Sequence, residues 1–337
     1  MSAVLPRRRL GTSGVHVTEL GFGGSVIGNL GRAVDDATAV AAVHEAWRLG
    51  VRYFDTAPHY GLGLSERRLG TALRELLRGA DRDSVVVSSK VGRLLEPRVP
   101  PLPRDDDGFD VPGTLARRLD YSRDGVLRSI SSSLERLGLD RLDVVYVHDP
   151  DEHWEQASRE AVPALARLRD EGVVGAVGVG LNSAPLAARF LRETDVDVVM
   201  LAGRFTLLEQ GALRDALPAA LATGRSVVSA GVFNSGLLAR DDVPDDARYE
   251  YAAAPPAVLA RARRLAAVCR AHGTTLPAAA VAFPLRHPAV VDVTLGMRDA
   301  HQVRRNVALH AERVPDALWD DLTEQGLLAP TDGEERP

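Results

Sequence analysis

Short valine-rich segments alternate with longer amphipathic stretches along this 337-residue chain, and that order predicts an α/β fold, a (β/α)8 TIM barrel. Eight such units can be counted, enough to close a cylinder of parallel strands. The short segments are apolar almost throughout, as strands covered on both faces must be. The doubly wound alternative lacks its G-x-G-x-x-G signature: Gly61-Leu62-Gly63 comes closest, and Glu66 occupies the third glycine position. A phosphate loop of the Walker type is excluded, because no glycine-rich run precedes the one lysine.

The elements follow in order. Residues 9–17, with central glycines Gly11 and Gly14, read as a hairpin that plugs the bottom of the barrel. The glycine-rich 20–24 is the first strand. The others are 51–55, 84–90, 142–148, 173–181, 196–202, 226–231 and 290–295. Helical periodicity covers 36–49, 64–77, 123–137, 155–171, 184–192, 209–223, 257–286 with a break near Gly273, and 300–310. One connection is abnormally long. Residues 92–121, after the third strand, carry Pro97, Pro100, Pro101, Pro103 and Pro112, an acidic run at 105–107 and no clear periodicity. Such a loop is either a substrate cover over the catalytic face or a surface insertion. The expected organisation is one domain over residues 1–330 and a polar tail over 331–337.

Net charge is −5, which offers no basis for binding nucleic acid, and Arg7-Arg8-Arg9 is too short to act as a basic tail. Cys269 is the single cysteine, so no intramolecular disulfide forms and a reducing compartment is expected. No apolar core follows the N-terminal arginines and no run reaches the ~18 apolar residues of a membrane span. The cytoplasm is the expected location, without a membrane partner; oligomeric state stays open.

Lys90 is the only lysine among 41 basic side chains; the rest are arginine. It ends the apolar run of the third strand, where an unpaired charge is costly. A compact ammonium there can tune a neighbour's proton affinity, which arginine does badly; the ordinary alternative is a strand-end lysine reaching for water. Asp55 and His148 end the second and fourth strands in the same way, and Tyr60 follows just beyond Asp55. Singly, Asp55 reads as a turn residue, Tyr60 as packing and His148 as a turn histidine. At successive positions on the C-terminal rim of a barrel, where active sites lie, they form a proton-transfer group.

These residues sit in stretches that resemble the aldo-keto reductases over nearly the full length. The matching runs are Leu10-Gly11-Thr12-Ser13-Gly14, Tyr53-Phe54-Asp55-Thr56-Ala57-Pro58-His59-Tyr60-Gly61, Ser65-Glu66-Arg67-Arg68-Leu69-Gly70, Ser89-Lys90, Ser133-Leu134-Glu135-Arg136-Leu137-Gly138, Val147-His148, Gly178-Val179-Gly180-Leu181-Asn182 and residues 296–306. Val91-Gly92-Arg93-Leu94-Leu95, Asp120-Tyr121-Ser122-Arg123-Asp124-Gly125, His148-Asp149-Pro150-Asp151 and 201–208 resemble the branch that oxidises sugars at C1, the aldose and L-fucose dehydrogenases, with pyridoxal 4-dehydrogenase nearby.

The resemblance implies an oxidoreductase that uses NAD or NADP on an aldose or aldehyde. It implies Tyr60 as the proton-transferring group, Lys90 stabilising its phenolate, Asp55 holding Lys90, and His148 orienting the substrate oxygen. No metal is required. Asn182 is implied at the nicotinamide carboxamide. Gly296, Arg298, Gln302 and Asn306 fall at the adenosine end, and the turn containing Gly231, Phe233, Asn234 and Gly236 comes near the pyrophosphate. Arg298 either clamps a 2′-phosphate or is a solvated arginine, so NAD and NADP stay undecided. Two positions depart from many relatives: Ala202 replaces a glutamine and Ala230 a stacking tyrosine. His59 and Trp154 are candidate substrate contacts, with Trp154 either a pocket wall or a helix-start packing residue. The alternatives kept open are a reductase of secondary metabolism, a pyridoxal-type dehydrogenase and, in another class, a cofactor-binding regulatory subunit.

Overall fold

Eight parallel strands close on themselves in chain order in the computed structural model, which describes residues 5–250 and 252–329. They are Leu20–Gly23, Tyr53–Asp55, Val86–Val91, Val144–His148, Ala176–Leu181, Val198–Ala202, Ser226–Ala230 and Val290–Gly296. The eighth pairs with the first, Leu295 opposite Phe22 and Gly296 opposite Gly23, and this closes the cylinder. Several strands start later than their apolar runs. Before the third, Arg82–Ser84 form a 3-10 turn capped by Asp81, whose carboxylate accepts from the Asp83 N–H.

The apolar side chains divide into two layers. One lies between the strands and the surrounding helices; the other fills the cylinder with Tyr53, Val144, Tyr146, Ala176, Val198, Met200 and Val228. Gly21 and Gly178 leave room for the two tyrosine rings: a Cβ on either would lie within 2.8 Å of Tyr53 or 2.6 Å of Tyr146 respectively. Five helices start at a polar cap, at Asp35, Ser122, Ser183, Thr275 and Asp299.

The N-terminal hairpin forms as expected. Arg7–Arg9 pair antiparallel with His16–Thr18. Leu10 and Val17 enter the interior cluster, and the Gly11 N–H donates to Ser226 Oγ at 2.7 Å, at the start of the seventh strand. The hairpin therefore closes the end of the barrel opposite the rim that carries Lys90.

Residues 92–121 are not the aperiodic loop expected. Arg93–Leu102 and Gly113–Leu119 pair as an antiparallel ribbon, with Arg93 opposite Leu119 and Pro97 opposite Leu115. The prolines fit because a two-stranded ribbon has two edges and needs no N–H there. Most of the ribbon is half-exposed on both faces, so no apolar alternation marked it. The helix expected over 209–223 splits into a 3-10 turn, Gly211–Leu213, and a helix, Ala216–Thr223. A helix not anticipated, Asp316–Glu324, packs Leu318, Trp319 and Leu322 inward. The polar tail at 331–337 lies outside the described residues.

Shortening Leu10 to alanine removes a fully buried plug from the barrel floor. Leu10→Ala is expected to lower stability by about 2–5 kcal/mol in urea unfolding, with kcat of the folded fraction unchanged. Normal stability with lost turnover would contradict the plug's purely structural role.

Candidate active site

Lys90 is buried at the end of the third strand, its side chain 2% exposed. The strand register pairs Asp55, the last residue of the second, with Ser88, two residues before Lys90 on the same face. The Lys90 ammonium donates to both Asp55 oxygens, at 2.7 and 2.6 Å, and to the Thr56 carbonyl at 3.0 Å. Ser88, two residues earlier on the same face, donates to Asp55 Oδ1 at 2.7 Å. Beneath it the Tyr53 hydroxyl lies 3.1 Å from Ser88 Oγ and 3.0 Å from the Tyr146 hydroxyl. The ion pair thus stands on a hydrogen-bonded polar column inside the barrel.

Tyr60 reaches the same point from the loop after Asp55. Gly61, at φ 61°, lets this loop sit on the turn after the first strand; a Cβ there would lie 2.1 Å from the Gly28 carbonyl oxygen. Lys90 Nζ is 4.9 Å from the centre of the Tyr60 ring. The His148 ring stands perpendicular to that of Tyr60, centroids 5.9 Å apart. Asp55, Tyr60, Lys90 and His148 all line one cavity of about 530 Å³ at the C-terminal mouth, within the range of roughly 300–1,000 Å³ typical of small-molecule sites.

The ribbon clasps the end of the fourth strand with both its feet. At one foot Arg93 Nη2 donates to Asp149 Oδ2 at 2.8 Å. At the other the Tyr121 hydroxyl donates to the carbonyls of His148 (2.7 Å) and Asp149 (2.9 Å). Gly92, at φ 105°, makes room for that tyrosine: a Cβ would fall 2.2 Å from its ring. The ribbon also brings Phe109 edge-on to His59, 5.2 Å between centroids, while Arg117 donates to the His59 carbonyl at 2.9 Å. Arg93, Phe109, Arg117, Tyr121 and Asp149 were not singled out from the sequence. Arginine and tyrosine at the very feet of a long insertion were the available signal.

Two imidazoles meet here. His59 and His148 stand T-shaped at 5.4 Å. Burial, then the Lys90 charge, holds His148 well below the ordinary imidazole range, so it is neutral. Burial, then Arg117, Arg93 and Lys90, lowers His59 to about 2. His148 Nδ1 and His59 Nδ1 are buried without hydrogen-bond partners among the described residues. His148 Nε2 lies 3.5 Å from Asp149 Oδ2.

The cavity continues from these groups towards the first and eighth strands. Gly231, Phe233, Asn234, Gly236, Gly296, Arg298 and Gln302 line it, together with Ala202 and Ala230. Arg298 Nη2 donates to the Leu30 carbonyl and its backbone N–H to Gln302 Oε1, both at 2.9 Å. Arg298 Nε and Asn234 Oδ1 are buried and unpartnered among the described residues. Orphaned polar atoms of both kinds along an elongated cleft fit a long polar cofactor such as a dinucleotide. Four candidates lie off this cavity. Asn182 is exposed on an adjoining depression and its carbonyl accepts from Arg204 Nε at 2.8 Å. Asn306 is buried one turn beyond Gln302 on the helix Ala300–Ala311. Trp154 packs on Phe190 at 4.6 Å with the Arg189 guanidinium 3.7 Å over its ring, among the outer helices: it takes the helix-start position, away from the cavity, because its apolar partners are there. His59 does not line the cavity either; it backs His148.

The depressed imidazoles give a signed pH dependence. Below about pH 6.5 the unfolded chain protonates both rings and the folded protein does not. The unfolded state then binds more protons, and stability falls as pH falls, by up to about 1.4 kcal/mol per pH unit for each ring. The buried Asp292, whose carboxyl burial raises well above its usual value, acts with the opposite sign. Comparing wild type with His59→Gln isolates one ring. Between about pH 5 and 6.5 the urea midpoint of wild type is expected to drop faster on acidification than that of the variant; parallel curves would contradict a neutral, buried His59.

Comparison with known proteins agrees with this geometry. Residues 19–325 match the Aldo/keto reductase family. The chain is 45% identical to a D-threo-aldose 1-dehydrogenase of a Pseudomonas species, over 94% of this chain and 96% of that one. It is 38% identical to a pyridoxal 4-dehydrogenase of Microbacterium luteolum, over 96% and 98%. The holo structure of an aldo-keto reductase from Bacillus halodurans superposes with a TM-score of 0.75 at 25% identity, covering 99% of this chain and all of that one. With a closed (β/α)8 barrel, a buried lysine–aspartate pair and a tyrosine and histidine at its mouth, the chain belongs to the Aldo/keto reductase family and is an NAD(P)-dependent oxidoreductase.

Proposed function

We propose that this protein oxidises an aldose at its anomeric carbon to the lactone, with Tyr60 as the proton acceptor and NAD or NADP as the hydride acceptor. The observation that carries this reading is the two-oxygen Lys90–Asp55 pair directly beneath Tyr60, in the cavity that His148 shares. The substrate class is supported by the similarity to an enzyme named for D-threo-aldoses over 94% of the chain.

A free phenol ionises near pH 10, too high for efficient proton exchange at neutral pH. The ammonium of Lys90 favours the phenolate by its charge. Asp55 keeps that ammonium charged and in place, and Ser88 keeps Asp55 turned toward it. His148, neutral, donates one hydrogen bond to the reacting oxygen and fixes its distance from Tyr60. As the C1 hydroxyl becomes a carbonyl, Tyr60 takes the hydroxyl proton. The nicotinamide, when bound, accepts the hydride leaving C1. The turn at Gly231, Phe233, Asn234 and Gly236 and the segment at Gly296, Arg298 and Gln302 would hold the dinucleotide; Asn182 and Asn306 stand beside them. Ala202 and Ala230 leave the nicotinamide end free of large side chains. His59 shapes the substrate end through His148. The lone buried thiol of Cys269 supports a reducing setting such as the cytoplasm. Among the described residues no helix is long and apolar enough to cross a membrane.

The similarity to a pyridoxal 4-dehydrogenase favours a second substrate, an aromatic hemiacetal or aldehyde, on the same machinery. A panel of aldoses, simple aldehydes and pyridoxal, assayed with both cofactors at the reduced-nicotinamide absorbance, separates the readings. The highest kcat/KM is expected for an aldose; turnover of pyridoxal alone would transfer the assignment to the second substrate, and no turnover of any would leave only cofactor binding.

Tyr60→Phe removes the proton-accepting oxygen and is expected to lower kcat by about 10²–10⁴-fold, with cofactor affinity unchanged by fluorescence titration. Lys90→Arg keeps the charge but loses the compact ammonium, and a steep fall in kcat is expected. Wild-type rates in either variant would refute the proton-transfer role.

A further inference from the structure

We propose that Asp149 determines substrate specificity: its carboxylate accepts a hydrogen bond from the hydroxyl on the carbon next to the one oxidised. This rests on the aldose reading above and adds a residue to it. Asp149 lines the cavity beside Tyr60, Lys90 and His148. Its backbone is held at φ 43°, in the left-handed region that side chains other than glycine, asparagine and aspartate seldom adopt. Its N–H donates to the Gly180 carbonyl at 2.9 Å and its carbonyl accepts from the Tyr121 hydroxyl at 2.9 Å. An uncommon conformation held at both ends aims the side chain at one place.

The carboxylate is half spent. Oδ2 accepts from Arg93 at 2.8 Å and lies 3.5 Å from His148 Nε2. Oδ1 takes no hydrogen bond from the described residues. The other charges nearby do not call for it: Lys90 is satisfied by Asp55, and His148 is neutral and needs no counter-ion. Oδ1 is thus left without a donor on a residue that lines the cavity, while its companion Oδ2 lies 3.5 Å from the His148 nitrogen. In an aldose, the 2-hydroxyl is a donor on the carbon next to C1 and therefore neighbours the reacting oxygen. A simple aldehyde has no donor there and leaves Oδ1 without a partner, and a site polar group left unpaired discriminates strongly between substrates.

The test uses the full-length enzyme with saturating cofactor, an aldose it oxidises and the 2-deoxy form of the same sugar, in wild type and Asp149→Asn. Asparagine tolerates the left-handed backbone, so the variant retains the loop. Wild type is expected to prefer the parent sugar by about 10- to 100-fold in kcat/KM. Asp149→Asn is expected to lose most of that preference, through KM on the parent sugar, while 2-deoxy turnover changes by less than about threefold. An equal loss on both sugars would show that Asp149 acts only through His148 and overturn the proposal. So would a wild-type preference near one, a measurement that needs no variant. Oxidation of aldoses without such a preference leaves the aldose reading standing; absence of aldose oxidation overturns both.

Discussion

The Lys90–Asp55 ion pair is the constraint around which this molecule is arranged. Two opposite charges, each almost fully withdrawn from water, lie at the end of adjacent barrel strands. Desolvation of such a pair is costly, and losing one partner typically leaves about 3–5 kcal/mol of uncompensated charge. The structure meets that cost with hydrogen bonds: the Thr56 carbonyl takes the third ammonium proton, and Ser88 holds one Asp55 oxygen. The tyrosine pair below seals the column from the barrel floor. A charge held this firmly acts on whatever is placed above it, and the loop that follows Asp55 places Tyr60 there.

The same charge explains the character of the substrate side. Lys90, Arg93 and Arg117 together make the neighbourhood of His148 and His59 hostile to protonation, and burial does the rest. Both rings stay neutral. The ribbon after the third strand supplies two of those three cations, and its two feet grip the fourth strand's end through Arg93 and Tyr121. It is a brace for His148 as well as a wall beside it. Ribbon and barrel are thereby joined at the site.

Along the opposite arm of the cavity, small residues and unpartnered polar atoms predominate, with the Arg298 guanidinium among them. Ala202, Ala230, Gly231 and Gly296 keep the wall close to the backbone, while Arg298 Nε and Asn234 Oδ1 are left without partners among the described residues. That division, a charged proton-transfer end and an accommodating polar end, suits an enzyme that separates the path of a proton from that of a hydride.

The barrel, its N-terminal plug and the four rim residues were legible in the sequence. Parallel strands buried on both faces leave continuous apolar runs, and each run stopped at a polar residue: Asp55, Lys90, His148. Those are local signals, fixed by solvent exclusion and strand length. The ribbon was illegible because half-exposed strands rich in proline carry no apolar period, and the roles of Arg93, Tyr121 and Asp149 depend on contacts between segments distant in the chain. Trp154 illustrates the same limit, since nothing in its neighbours along the chain states whether it faces the cavity or Phe190. Sequence alone therefore determined which polar groups stand at the rim of the barrel. Only tertiary structure decided how they are held, which of them are neutral, and which way the remaining side chains turn, because those depend on burial and on distances that residue order does not encode.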